Sequence, residues 1–331
     1  MNYERCKEKL RMNDDKKMNA LMATRDGFGE ALVALAKSDE RIVALTADLT
    51  ESTRLGVFAH QFPDRFWNVG IGEQNMVGIA AGLAVEGFIP FTTTSGVFLG
   101  RAWDQVRISV CLNRANVKLI GTHAGITVGA DGGSAQALED IAMLRALPNM
   151  TIVCPCDTIE AKKATTAIAQ MVGPAYVRLS RESSPIITQK DSPFVLGRAE
   201  ILHEGKDVTV VACGLMVAQA LEAAEALQKE KVSVRVINMH TIKPIDRQTL
   251  IDCAKETGAV VVAEEHQAVG GLFGAVAEML ALHMPVPIEQ VAVANSFGES
   301  GKADELLVKY KLTAHDIVRA VTRVLRRKIK T

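Results

Sequence analysis

No CxxC pair occurs among the six cysteines (Cys6, Cys111, Cys154, Cys156, Cys213 and Cys253), which removes the usual sequence signs of a zinc site or a dithiol redox centre. Cys154 and Cys156 flank Pro155 directly after the apolar run Thr151 to Val153, so reduced thiols in packed positions are expected. Excess charge of either sign is also missing: 38 basic residues balance 38 acidic ones, without a dense Lys/Arg stripe. That argues against nucleic acid or an anionic membrane as the main partner. The short basic tail Arg326, Arg327, Lys328 and Lys330 reads as a solvated helix end. No apolar run approaches the ~18 to 20 residues of a membrane helix. The polar start, Met1 to Asn19, lacks the charged, apolar and small-residue order of a signal peptide. A cytoplasmic location is the expectation, with residues 1–19 as a lead outside the fold.

What is present is 331 residues that are 48% hydrophobic, ample for two buried cores. From Asp39 onward short apolar runs alternate with helical patterns, the pattern of parallel α/β units. Strands are expected at Ile42–Ala47, Ile89–Thr93, Val117–Thr122, Thr151–Val153 and Ala175–Leu179. Helices are expected between them at Met76–Glu86, Ala102–Cys111, Leu138–Leu147 and Ile159–Met171. Ser183 to Ser192, with Pro185 inside and Pro193 after it, reads as a linker. A second alternation follows, with strands at Val208–Ala212, Val232–Asn238, Val260–Ala263 and Ile288–Val293. Its helices are Met216–Lys229, Arg247–Glu256, Leu272–His283 and Ala314–Arg326, the last with Thr313 as N-cap. The expected architecture is two consecutive α/β domains with mainly parallel sheets, 20–182 and 195–331, joined by 183–194.

Three clusters could carry chemistry. Val69-Gly-Ile-Gly-Glu73 ends an apolar segment in a glycine turn and opens a small-residue helix with a carboxylate at its mouth. The C-terminal ends of strands are where α/β folds hold ligands. On spacing alone, Glu73 serves equally well as a charge that stabilises a helix N-terminus. Gly121-Thr-His123 through Asp131-Gly-Gly-Ser-Ala-Gln136 is long and glycine-rich for a simple crossover, and loops of that kind usually bind something. Alone, however, a histidine is more often structural and an aspartate in a glycine loop a turn former. Phe98 and Arg101 stand at a strand-to-helix junction, where the phenylalanine by itself reads as core. Thr46-Ala-Asp48-Leu-Thr-Glu-Ser52, Arg25 and Arg178-Leu-Ser-Arg181 complete the set.

Taken in order, these segments resemble the pyrimidine-binding domain of transketolase followed by that family's C-terminal domain. The resemblance runs from about Ala20 to the end of the chain. It is carried by Ala-Thr-Arg25, Ala-Asp48-Leu-Thr, Gly-Ile-Gly-Glu73, Val-Phe98-Leu, Thr-His123, Gly-Ala-Asp131-Gly with Ala-Leu-Glu-Asp behind it, and Leu-Ser-Arg181. A full-length transketolase also grips a diphosphate and magnesium through a Gly-Asp-Gly motif, which does not occur here. The chain is therefore similar to the smaller subunit of a split transketolase.

The resemblance implies thiamine diphosphate and Mg2+ as cofactors, with the metal ligands on an N-terminal partner subunit that carries Gly-Asp-Gly. It implies a dimer of heterodimers and a place in pentose phosphate metabolism, moving a two-carbon glycolaldehyde unit from a ketose phosphate to an aldose phosphate. Glu73 would bond a pyrimidine ring nitrogen and share a proton with it, Phe98 would stack on the ring, and Asp48 and Arg101 would lie beside the cofactor. Arg25, Ser52, His123 and Arg181 match the residues that hold sugar-phosphate termini, and Asp131 matches a carboxylate that bonds a substrate hydroxyl. Glu73, His123 and Asp131 form the implied catalytic set.

Two departures bear on the sugars. Ala135 stands where many transketolases have His or Gln, and neighbouring Gln136 is a candidate to reach in instead. The run Arg101-Ala-Trp-Asp-Gln is closer to deoxyxylulose-phosphate synthase. Rival readings are the beta subunit of a thiamine-dependent 2-oxo acid dehydrogenase and a non-enzymatic assembly subunit. Glu264-Glu-His266 with Gly270-Gly271 reads as interface and packing.

Overall fold

A computed structural model describes residues 21–328, so the expected lead 1–19 and Lys330 lie outside the described residues. The chain enters through β1 (Leu21–Ala23), which runs directly into a helix over Thr24–Ser38. Neither was expected from the sequence. The helix is short on large apolar residues but buries Phe28, Leu32, Val33 and Ala36, spaced for one face.

Except at its edge strand, Phe66–Asn68, the first sheet takes its parallel strands from apolar runs buried on both faces, as strands between helical layers require. They are β2 (Ile42–Thr46), β3 (Phe66–Asn68), β4 (Ile89–Ser95), β5 (Lys118–Thr122), β6 (Thr151–Val153) and β7 (Ala175–Arg178). Four agree with expectation to within two residues, as does β4, which extends to Ser95; β3 was missed because Phe-Trp-Asn is too short and too exposed to give a pattern. Two expected helices differ. The one placed over Met76–Glu86 begins at Glu73, and Ala102–Cys111 resolves into a short turn, Trp103–Gln105, followed by a wide π-type helix over Val106–Leu112.

The segment expected as a linker is anchored to the first domain. β8 (Ser183–Pro185) pairs antiparallel with β1. Beyond it, the Asp157 carboxylate accepts the Ile187 N–H at 2.8 Å and the Thr188 hydroxyl at 2.9 Å. Asp157 also caps the helix Thr158–Gln170.

The second half contributes β9 (Glu200–His203), β10 (Val208–Ala212), β11 (Val234–Asn238), β12 (Thr241–Lys243), β13 (Val260–Gln267) and β14 (Ile288–Val293). Five of these form a sheet in the order β14-β13-β10-β11-β9, parallel except for β9. The sixth crosses back: β12 adds antiparallel to β6 and becomes the edge of a seven-stranded sheet ordered β12-β6-β7-β5-β4-β2-β3. A helix over Ala303–Lys309 was not expected, whereas Thr313 and Asp316 form the capping box that opens Ala314–Arg327. The chain is α/β with two consecutive, mainly parallel domains. Among the described cysteines, Cys111, Cys154, Cys156, Cys213 and Cys253 are free and buried, as expected for packed thiols.

The two halves are bonded to each other through buried polar groups. Asn238 donates to Glu160 Oε1 at 2.7 Å, and the Thr127 N–H donates to Glu265 Oε1 at 2.6 Å. The Arg178 guanidinium, buried against Asp140 at 2.9 Å, also reaches the Glu265 carbonyl at 2.9 Å. These contacts fix the loops at the carboxyl ends of the first sheet.

Candidate active site

Parallel strands all point their carboxyl ends the same way, so residues just past β2, β3, β4, β5 and β7 gather along one edge. Past β3, the Gly70–Gly72 turn delivers Glu73 as the first residue of its helix, with only 3% of its surface exposed. A carboxylate there meets the positive end of the helix dipole. It does more than that here, because Arg101 Nη1 donates to both of its oxygens, at 3.1 and 3.2 Å. The same guanidinium lies 4.5 Å from the centre of the Phe98 ring.

Phe98 is half-buried, which sets aside its reading as a core residue. The Arg101 side chain is 53% exposed, so it can leave both the ring and the carboxylate without breaking any core contact. Glu73, Phe98 and Arg101 therefore form one unit past β3 and β4: a buried acid, an aromatic face and a half-exposed cation between them.

Asp48 follows β2 in a left-handed backbone conformation (φ 61°). Its N–H donates to Asn68 Oδ1 at 3.0 Å, and the same oxygen takes the Gly70 N–H at 3.1 Å. Asn68, which carried no signal in the sequence, thus ties Asp48 to the turn that presents Glu73.

The residues expected to hold a sugar-phosphate terminus form a second unit around His123. Arg25 Nη1 donates to the Ser52 carbonyl at 2.8 Å and faces His123 Nε2 at 3.2 Å. An arginine can only donate, so Nε2 accepts and the ring proton sits on Nδ1, directed at Thr122 Oγ1 2.8 Å away. Burial pulls His123 down to about 4, and the charges of Arg25, Arg181 and Arg54 add to the effect. The imidazole is neutral at physiological pH. Arg25 is itself held below its ordinary value, first by burial and then by Arg54, and its Nε is buried without a hydrogen-bond partner among the described residues.

Arg181 donates to Asp131 Oδ2 at 2.6 Å, so two of the expected substrate residues are paired with each other. Ser52 joins the group through its carbonyl, while its hydroxyl donates to the Leu49 carbonyl at 3.2 Å. Arg54, which the sequence reading did not single out, bonds Asp26 beside Arg25, and its charge bears on both Arg25 and His123. A single arginine two residues after Ser52 looks like any surface cation until the turn is folded.

Gln136 does not reach into the site as expected. It is buried, and its Nε2 donates to the carbonyls of Ile126 (3.1 Å), Gly129 (3.3 Å) and Glu299 (3.0 Å). The buried amide NH2 gives these carbonyls a donor, although the Gly129 oxygen also accepts the Gly132 N–H at 3.1 Å. Gln136 is thus a strut that holds the glycine loop against the second domain. Gly125, with φ +94°, lets the same loop pass over the buried Glu265 carboxyl, where a Cβ would lie 2.3 Å from it. Glu264 accepts the N–H groups of Leu272 (2.7 Å) and Phe273 (2.8 Å), capping a helix. Among the described residues no three His, Cys, Asp or Glu side chains gather as a metal ligand set.

Comparison with known proteins identifies the family. Residues 20–186 match the pyrimidine-binding domain of transketolase and residues 197–317 its C-terminal domain. A 6-deoxy-6-sulfo-D-fructose transketolase subunit from Clostridium sp. (strain MSTE9) is 43% identical over 305 residues, 92% of this chain and 95% of that protein. Transketolase of Rattus norvegicus is 38% identical over 309 residues, which cover 92% of this chain but 49% of the rat enzyme. Among solved structures, a split-gene transketolase described as an inactive beta4 tetramer superposes with a TM-score of 0.88 at 47% identity, covering 93% of this chain and all of that one. No helix among the described residues is long and apolar enough to cross a membrane. The chain belongs to the transketolase family, a thiamine diphosphate-dependent family, as the C-terminal subunit of a split transketolase.

Proposed function

We propose that this subunit supplies the pyrimidine half of a thiamine diphosphate site and the anion-binding end of a sugar site. With a partner subunit it moves a glycolaldehyde unit between sugar phosphates in the cytoplasm. The observation that carries this is the pairing of buried Glu73 with the half-exposed Phe98 face, next to the Arg25, His123 and Arg181 group. A flat ring bearing a nitrogen fits that acid and that face once Arg101 moves aside.

When bound, the cofactor provides a thiazolium carbon that can carry a carbanion equivalent, with its own aminopyrimidine as the base. Glu73 holds a proton at the ring nitrogen, and burial keeps that proton from exchanging with bulk water. Phe98 fixes the ring plane, an aromatic contact worth on the order of 1 kcal/mol. Asp48, on its strained turn, orients the cofactor side of the cleft. Arg25, His123 and Arg181 bind the anionic end of the sugar, with Ser52 completing the turn and Asp131 free to turn to a substrate hydroxyl. Two guanidiniums suit the geometry and charge of a phosphate.

The diphosphate and Mg2+ are assigned to an N-terminal partner subunit, a reading supported by the likeness to a split-gene transketolase. The surface beside Glu73 supports such a partner. Ile71, Ile79, Val85, Phe88, Ile108 and Leu112 are exposed on two helices that pack together and on the turns beside them. Exposed apolar surface of that kind marks an interaction site. Two copies of each subunit give the proposed assembly.

The sulfofructose relative favours a second donor, a sulfonated ketose, because a sulfonate would meet the same cations. Purified chain and partner, supplied with thiamine diphosphate, Mg2+, a ketose phosphate and ribose 5-phosphate, should yield a ketose lengthened by two carbons. Formation of CO2 from a 2-oxo acid instead would overturn the assignment in favour of a dehydrogenase subunit.

A further inference from the structure

We infer that Arg54 is a specificity-determining residue, the third arm of an anion cradle with Arg25 and Arg181 around His123, which selects a dianionic over a monoanionic sugar terminus. This deepens the proposed function by naming the charge state of the substrate.

Arg54 sits in the turn after Ser52 with φ +67°, a left-handed conformation that is costly for a side chain with a Cβ. Two contacts hold it there. Its Nε donates to Asp26 Oδ1 at 2.5 Å, from the residue beside Arg25. The turn also lies flat on the helix Thr24–Ser38 at Gly29, where any Cβ would come within 2.8 Å of both the Arg54 Cβ and its carbonyl oxygen. Only glycine permits that approach. The tether uses Nε, and among the described residues neither terminal nitrogen of Arg54 is hydrogen-bonded.

The charges around it are accounted for as follows. Asp26 neutralises part of Arg54, Asp131 neutralises part of Arg181, and Arg25, which bonds only a carbonyl and a neutral imidazole, also feels the carboxylates of Asp26 and Glu182. Arg54 is close enough for its charge to bear on both Arg25 and His123. Its side chain is 42% exposed, so a ligand can reach the free edge. Arg54 and Arg181 are tethered by carboxylates, and Arg25 by a carbonyl and an imidazole, so the three guanidiniums form a preorganised site, and preorganisation is what gives charge selectivity its strength.

Coulomb energy scales with the product of charges, so the factor lost on removing one cation from beside a dianion is the square of the factor lost beside a monoanion. At a separation of about 6 Å in a water-like dielectric these are about tenfold and about threefold.

The test uses the full chain, with His123 ring resonances followed by NMR at pH 7.5 during titration with inorganic phosphate and, separately, methanesulfonate. Arg54→Gln should weaken phosphate binding about tenfold and methanesulfonate binding about threefold, and Arg54→Lys should recover most of the phosphate loss. Equal losses for the two anions, or no loss for phosphate, would overturn the inference, as would an Arg54→Lys protein that behaves like Arg54→Gln. A thermal melt matching wild type separates these outcomes from misfolding. Because the readout is binding, it stands apart from the proposed function: a reconstituted complex without transferase activity would overturn that reading while leaving the anion result intact.

Discussion

His240 gives the sharpest quantitative test of how the two domains are joined. It lies between β11 and β12, where the chain passes from the second sheet to the edge of the first, and only 1% of it is exposed. Its ring stacks on Phe194 with centroids 4.2 Å apart, its Nδ1 is 2.9 Å from Thr241 Oγ1, and its carbonyl accepts the Cys154 N–H at 2.7 Å. Burial pulls its pKa from 6.5 to about 4, against a weaker upward pull from Asp246. The unfolded chain thus takes up a proton near 6.5 and the folded chain only near 4, so between those values the unfolded state binds more protons. Stability from this residue is whole above pH 6.5 and drains away as pH falls toward 4. At about 1.4 kcal/mol per pH unit, the gap amounts to about 3 kcal/mol in full and about 2 kcal/mol by pH 5. His240→Phe keeps the stacking and cannot be charged. Urea unfolding followed by circular dichroism should find the variant somewhat weaker at pH 7.5, through the lost Thr241 bond. It should gain on wild type by about 2 kcal/mol at pH 5. Parallel stability curves for the two proteins across that range would refute the reasoning.

Other outcomes follow from the site and its supports. Glu73→Ala should abolish transfer by the reconstituted complex while leaving its assembly intact on size-exclusion chromatography, and normal turnover would contradict the role given to this acid. Asp140→Asn strands the buried Arg178 guanidinium and should destabilise the chain by about 3 to 5 kcal/mol in denaturant titrations, since an unpaired interior charge is costly. Gln136→Leu removes the donor to the Ile126 and Glu299 carbonyls, while Gly129 keeps the Gly132 N–H, and should cost about 1 to 3 kcal/mol; a wild-type unfolding midpoint would show that the strut is dispensable. His123, held neutral down to about 4, should contribute no acid limb near pH 6.5 to kcat/KM, and a limb that disappears in His123→Gln would show it titrating there.

Much of this molecule was legible because it rests on local pattern. Runs such as Ile42–Thr46 and Val208–Ala212 are buried on both faces and announce themselves by unbroken β-branched and apolar residues. The motif residues Glu73, Phe98, His123, Asp131 and Arg181 lie in segments that follow strands, where α/β folds hold ligands, and it was their order along the chain, not any one of them, that marked the site. β3, β8 and β12 were not legible, since, unlike the equally short but apolar β6, they carry no unbroken apolar run and depend on the partner that bonds them: β12 is a strand because β6, roughly ninety residues earlier, offers an open edge.

The sequence by itself determined the fold class, the family and the identity of the acid at the helix mouth, because each depends on residue type and order along the chain. Tertiary structure alone decided what those residues touch. It paired Arg101 with both Glu73 and Phe98, gave Gln136 to the loop and not to the substrate, and turned Arg54 from a surface cation into a neighbour of His123. Hydrogen bonds, burial and charge coupling act across space between segments that no local period relates, so they become visible only once the strands have brought those segments to one edge.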